Sequence, residues 1–419
     1  MNKKTKINVD IINRGILILT GVLLPSQILA IKIIPFFVIT LICWYVIKIL
    51  LTKKILFSLF NCVLISLTFV MMILMLIGNL PSGWKESSRN QLILYLVIIF
   101  SLFIKLSKDD IEVLIIGLKK GVIINIVWSI IQFVLNSFQG LDINDFIFNQ
   151  ILHIRDEAST IKYGYGLTIT GLNWHPAQLV PIIIIGYYLF DDVKIKIILA
   201  ILAMLSTNST CIIAIGLCFF LDIIKKLFTK KRNKISVRDL LILVLGGIGI
   251  FAFLESNLFL VFIDRINEVF IRINSIRTAN NMTNSSILHL RYYIAYPSII
   301  KKYGILSFLF GIGFECSGYP FSVLFRQYNA LKSWHVESDI INDLIGRGVI
   351  WTIINYGMLF YIALRGKKID VKYLQMIVVL IICGIFYNNQ FLWVELFLYI
   401  TFRATKYKYN IFCIKQNNE

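Results

Sequence analysis

Residues 333–348 read SWHVESDIINDLIGRG and hold His335, Glu337, Asp339, Asp343 and Arg347 at close intervals. An imidazole or a carboxylate can take the proton of an attacking hydroxyl, and such a general base is worth roughly 10²- to 10⁴-fold in rate. Plain structural roles account for part of the stretch. Ser338 has the residue type of an N-cap, with Asp339 in the first turn behind it, where the helix dipole favours an anion. Asp343 and Arg347 stand four apart and suit an ion pair on one helix face. His335, Asp339, Asp343 and Arg347 recur at intervals of four, so one continuous helix would keep them on a slowly drifting stripe. His335 and Glu337 precede the cap and are used by neither role. They and Asp339 are the candidates for proton transfer.

The elements that must position these residues are membrane helices. The 419 residues are 58% apolar and 14% aromatic, with a mean hydropathy of +0.79. Apolar runs recur at about the 17 to 25 residues that cross roughly 30 Å of hydrocarbon as helix. They are continuous rather than alternating, which favours helices over a closed barrel. The sequence therefore predicts an all-α polytopic membrane protein, a single integral domain over 1–419 with about twelve spans. These fall near 11–31, 33–47, 55–80, 91–104, 121–138, 173–190, 197–205, 211–224, 239–255, 340–364, 372–390 and 391–403. The first run continues into a membrane domain and lacks a small-residue cleavage site, so it reads as a span and not a signal peptide.

The formal charge of +19 does not indicate nucleic acid. Most of the 42 basic residues, KKTK at the start and KKLFTKKRNK at 225–234 among them, fall on one side if both termini are cytoplasmic. That is the bias expected of inward loops. Two outer segments remain, a first loop over 139–172 and a large one over 256–339. Seven scattered cysteines show no metal-binding or disulfide spacing and read as small packing residues.

The large loop is too rich in Phe, Ile, Leu and Tyr to be disordered. Apolar residues at 259, 262, 263, 266, 269, 270 and 273 recur as on an amphipathic helix, with Arg265, Glu268 and Arg272 opposite. SILHLRYYIAYPSIIKKYG at 286–304 predicts a second helix. The loop supplies Arg265, Arg272, Arg277, Arg291 and Arg326, and a guanidinium fork matches phosphate oxygens in bidentate fashion. A polyprenyl-diphosphate sugar would present two phosphates at this depth. Its diphosphate leaving group needs cationic stabilisation more than a proton, whereas the attacking hydroxyl needs a base. Tyr292, Tyr293, Tyr296 and Trp334 could stack on sugar faces. No acidic cluster suggests a metal, and no cofactor is expected. Trp174-His175 and Trp334-His335 each end an outer segment.

Three stretches carry a family resemblance: NWHPAQLVPIII at 173–184, LRYYIAYPSIIKKYGILSFLFGIGF at 290–314, and SWHVESDIINDLIGRGVIWTIINYG at 333–357. With the span layout, the chain resembles the O-antigen polymerase and ligase superfamily, in particular Wzy-type repeat-unit polymerases. The resemblance implies a GT-C-like helical fold and metal-independent glycosyl transfer from an undecaprenyl-diphosphate-linked donor to an acceptor oligosaccharide, on the outer face of a bacterial plasma membrane. By position, Arg291 matches the loop arginine thought to hold diphosphate, and His335 the residue proposed as base in the ligases. Glu337 and Asp339 match the acidic pair of the polymerases' Glu-Ser-Asp motif. Asn173, His175, Tyr292 and Trp334 join the substrate-binding set. Thr210, in LSTNST, stands where the family often has arginine. Arg155 or Arg326 is the expected substitute, and Arg155 and Gly166 also have an Arg-x10-Gly spacing.

A repeat-unit polymerase of capsule, O-antigen or exopolysaccharide is the leading expectation, with lipid and a chain-length regulator as possible partners. A ligase moving finished glycan would share the donor site. A lipid-linked oligosaccharide flippase, the third reading, should carry ionisable groups in mid-span and show internal repeats or broken helices. Here Glu395 is among the few deep charges, and no repeat is evident.

Overall fold

The computed structural model describes residues 3–26, 34–53, 58–77, 106–153, 162–163, 166–167, 169–173, 175–206, 208–229, 285–313, 316–324, 338–387 and 392–413, with the single residues 55, 89, 92, 103, 104 and 336. Among these the protein is helical, apart from a two-residue antiparallel pair, β1 (Lys162–Tyr163) and β2 (Gly166–Leu167). The α-helices are α1 (Lys3–Leu23), α2 (Ile34–Thr52), α3 (Leu59–Ile77), α4 (Lys108–Gln139), α5 (Leu179–Leu189), α6 (Val193–Leu205) and α7 (Ser209–Thr229). They continue with α8 (Ser285–Phe310), α9 (Gly318–Leu324), α10 (Asp339–Gly346), α11 (Gly348–Lys367), α12 (Val371–Phe386) and α13 (Leu392–Lys406).

Three of these helices contain stretches long and apolar enough to cross a membrane: Leu59–Ile77, Lys108–Asn136 and Gly348–Lys367. Shorter apolar helices lie over Ile42–Thr52, Pro176–Leu189 and Val371–Ile385. The described residues thus support a helical protein with membrane-crossing helices and do not establish twelve spans. The span expected at 239–255 and most of that at 91–104 lie outside them, as does the amphipathic helix expected at 259–273. Outward faces agree with a lipid surround. Leu59 and Ile77 of α3 are 83% and 75% exposed, and Ile353 and Phe360 of α11 are 66% and 65% exposed. Rows of such residues would be unfavourable in water at about 25 cal/mol per Å² of apolar surface.

Capping chemistry places several boundaries. α4 begins thirteen residues before the span expected at 121, because Ser107 and Asp110 form a capping box: the Asp110 N–H donates to Ser107 Oγ, and the Ser107 N–H to Asp110 Oδ2. Asp110 Oδ1 also accepts from Lys48 of α2 and from Asn13 of α1 at 3.3 Å, which ties three helices together at one buried carboxylate. Asp192 and Asp370 cap α6 and α12 by accepting the Lys194 and Lys372 N–H groups. Leu64, Met71 and Met75 of α3 pack with Cys316, Trp351 of α11 and Tyr399 of α13 in one apolar cluster.

The helix expected to run unbroken through 340–364 is interrupted. α10 ends at Gly346, and Gly348 takes φ of +81°, which turns the chain before α11. The loop after α8 makes the break tolerable. Gly311 also has positive φ, and the Ile312 and Gly313 N–H groups donate to the Ile345 and Gly346 carbonyls at 2.8 and 3.2 Å. The carbonyls at the end of α10, which an interrupted helix would leave without partners, are so satisfied by protein, the condition for irregular backbone at membrane depth. A Cβ on Gly348 would overlap the Leu309 carbonyl and the Gly311 nitrogen. Gly348→Ala is accordingly expected to destabilise by about 2 kcal/mol or more, from left-handed backbone and steric overlap together, read as a lower midpoint of heat inactivation in detergent.

The proposed stripe is seen in part. Val336 and Ser338 precede α10, so within the described residues the stripe comprises Asp339, Asp343 and Arg347, and His335 lies outside them. Ser338 does occupy the N-cap, although its hydroxyl makes no capping bond. Val336 is buried and fastened instead by its N–H to Ser317 Oγ at 2.9 Å, and Ser317 Oγ donates in turn to Asn342 Oδ1 of α10.

By contact density the chain divides into two compact units. One comprises 1–219 and 298–419; the other, 220–297, holds the end of α7 and the first half of α8. The helix expected at 286–304 is present as α8, with Pro297 inside it and a sharp bend at Gly304.

Candidate functional site

The last turn of α12 is where two of the quoted stretches meet. On one side lies α10, whose first residue, Asp339, is 3% exposed. A Cβ on Gly384 of α12 would overlap Asp339 Oδ2, so it is the missing side chain at 384 that gives the carboxylate its place. On the other side lies the turn Pro176–Gln178 that leads into α5. Its N-cap, His175, stacks on Tyr387, the C-cap of α12, with ring centroids 5.8 Å apart and planes within 8°. Gly384 and Tyr387 are three residues apart in sequence, so both contacts fall at the C-terminal end of α12.

His175 is held firmly. Its Nδ1 accepts the Ala177 N–H at 3.2 Å and lies 3.1 Å from Tyr387 Oη, and its own N–H donates to Gln178 Oε1 at 3.1 Å. The Cys211 thiol of α7 donates to the Pro176 carbonyl at 3.5 Å, and the Cys383 thiol of α12 is within electrostatic reach of Cys211 and Asp339. Thr210, found where the family often has arginine, is in the first turn of α7 beside Cys211, its N–H held by Asn208 Oδ1 at 2.9 Å.

In the segment before His175, Ile169 through Asn173 are buried, and α4 supplies amide side chains that satisfy their backbone. Gln132 Oε1 accepts the Thr170 and Gly171 N–H groups, each at 3.0 Å, and Asn125 Oδ1 accepts the Leu172 N–H at 3.1 Å. Asn144 donates to the Gly171 carbonyl at 2.9 Å and accepts from Trp128 Nε1 at 2.7 Å. Asn173, an expected substrate contact, is fully buried and gives its amide to Asn125 at 3.3 Å. Its visible role is to help shape the turn that carries His175.

Beyond α10 lies a buried charge network. Arg347 bonds Glu395 of α13 and lies 3.3 Å from Asp343, whose Oδ2 accepts from Asn355 of α11 at 2.9 Å. All three charged side chains are at most 7% exposed. The pair expected from i,i+4 spacing is present, and Glu395 completes it from forty-eight residues away.

His335, Glu337, Trp334, Arg155, Arg265 and Arg326 lie outside the described residues. Arg291 belongs to α8, with its side chain outside the description, and Tyr292 beside it is 3% exposed. Burial pushes the Tyr296 phenol of the same helix up, and that of Tyr303 up to about 12 with a smaller contribution from Tyr319, so both remain neutral donors. Tyr387, Gly384, Cys211 and Cys383 were not singled out from sequence. The one available signal was YNNQ at 387–390, a polar interruption between two apolar runs.

Together these features describe a helical protein with helices long and apolar enough to cross a membrane, and with a buried carboxylate and a half-buried imidazole and phenol at one helix end. No protein-family model matches the chain, and no curated protein matches it.

Proposed function

We propose that the protein is a polysaccharide repeat-unit polymerase, transferring a growing glycan from an undecaprenyl-diphosphate carrier to an incoming repeat unit at the outer face of a bacterial plasma membrane. The observation that carries this reading is the convergence of Asp339 and His175, from two of the three stretches that resemble such enzymes, on the last turn of α12. In the reaction, an acceptor hydroxyl attacks the donor's anomeric carbon. The new glycosidic C–O bond forms as the bond to diphosphate breaks, the proton passes to the base, and the diphosphate leaves with the bonding electrons. His335 or Glu337 serves as the base, with Asp339 beside them in sequence. Arg291, Arg326, Arg155 and Arg265 are the groups proposed to hold diphosphate, and Tyr292 and Trp334 to pack on sugar.

Deleting the gene in its native host and analysing the lipid-linked glycans tests the assignment. Accumulation of single carrier-linked repeat units is the expected result. Full-length chains left on the carrier would overturn it in favour of a ligase. Repeat units trapped on the cytoplasmic leaflet would overturn it in favour of a flippase.

A further inference from the structure

We infer that the end of α11 is a binding site for an anionic phospholipid, with the headgroup phosphate on Arg365, Lys367 and Lys368 and an acyl chain along Ile353, Phe360 and Leu364. α11 is one of the helices long and apolar enough to cross a membrane. Ile353, Gly357, Phe360 and Leu364 recur at intervals of four, three and four, so they form one stripe, and all four are exposed. A Cβ on Gly357 would meet nothing within 4 Å, so the stripe is notched between Ile353 and Phe360. The same register leads on to Lys367, ten residues beyond Gly357. That is about 15 Å along the helix, the hydrocarbon depth of one leaflet. A lipid whose headgroup meets Lys367 has an acyl chain of the reach needed to lie in the notch.

The cations are placed for an outside partner. Arg365, Lys367 and Lys368 are exposed, and among the described residues no ion pair involves them. Arg365 lies over the Tyr361 ring, 5.8 Å from its centroid. Asp370, the next carboxylate in the chain, already accepts from the Lys372 N–H and from Asn410 Nδ2, at 3.0 and 3.2 Å. α13 adds further charge. It runs beside α11 in the same direction, with Arg347 bonded to Glu395 near their starts and the Tyr361 and Phe402 rings 5.0 Å apart near their ends. Lys406, its last residue, and Lys408 just beyond are exposed as well. Each cation held near a membrane surface favours an anionic headgroup by about 5-fold. Basic last turns also offset the helix dipole, but that role gives no preference among lipids. The apolar stripe beneath the cations selects a lipid over a free phosphate or an acidic peptide, neither of which has a chain to lie along it. The inference depends on α11 crossing a membrane and not on the proposed glycosyl transfer.

Photolabelling of the full-length protein in bilayers tests it. The probe is phosphatidylglycerol with a photoreactive group in one acyl chain, and labelled peptides are identified by mass spectrometry. Label is expected on 353–364, about 10-fold or more above that from a phosphatidylcholine probe with the same chain. Unlabelled phosphatidylglycerol should displace it, and inorganic phosphate should not. Arg365→Gln, Lys367→Gln and Lys368→Gln together should bring the two probes within about 3-fold of each other. Lys108→Gln with Lys120→Gln, which removes exposed cations of α4, should leave the difference in place. Equal labelling by both probes in the wild type would overturn the inference and leave the cations to the helix dipole. Displacement by inorganic phosphate would overturn it in favour of a free anion. Absence of label from both probes would overturn it too, since a second copy or another stretch of protein would then cover the stripe. The wild-type comparison needs no substitution, so it decides the matter even if the triple variant does not fold.

Discussion

Asp339→Asn is expected to lower polymer synthesis at least 100-fold while leaving the folded protein intact. The substitution is isosteric, so the space beside Gly384 stays filled and α10 keeps its start. Only the charge is lost. If Asp339 did no more than complement the dipole of an eight-residue helix, its neutralisation would cost about 0.3–1 kcal/mol of stability and nothing in turnover. A carboxylate that takes part in proton transfer or orients the base contributes roughly 10² or more, so the two roles differ in kind of readout as well as size. Turnover of carrier-linked repeat units, with heat inactivation in detergent measured on the same preparation, checks the result. Undiminished turnover with a slightly lowered midpoint would return Asp339 to the helix dipole.

Arg347→Met is expected to be the most destabilising single change in the described residues, by about 3–5 kcal/mol, because it leaves Asp343 and Glu395 buried without their shared cation. The cost is chiefly that of the uncompensated carboxylates, not the loss of a favourable pair. Arg347→Met with Glu395→Gln should therefore be less damaging than Arg347→Met alone, a coupling that a double-mutant cycle reads directly. Surviving folded fraction after graded heating in detergent is the measurement. Additive effects of the two substitutions would mean that the pair does not interact. A severe loss would also disturb α10, since Arg347 lies at its C-cap and Asp339 at its first residue.

Some of this architecture was legible in the chain. Composition and run length point to membrane-crossing helices, since hydrophobic cost depends on residue type and length and needs no knowledge of neighbours. Asp343 and Arg347 announced their pairing through i,i+4 spacing, and SILHLRYYIAYPSIIKKYG announced α8, because helix contacts at three and four residues are local. Ser338 was placed correctly at its cap, yet its hydroxyl makes no capping bond.

What the linear pattern could not decide was set by groups distant in sequence. The break at Gly348 depends on the loop at 311–313 arriving to satisfy the end of α10, so the apolar run alone reads as one helix. Burial of 169–173 depends on amides of α4 that take the place of water at the Thr170, Gly171 and Leu172 N–H groups, a pairing that sequence spacing does not show. Glu395 finds Arg347 only through the packing of α13 on α11, and Tyr387 finds His175 only through that of α12 on α5. Local periodicity determined which residues form helices and which faces are apolar. Tertiary packing decided which polar groups share a site, because hydrogen bonds and charge pairs reach only a few ångströms and sequence spacing says nothing about that distance once the chain has turned.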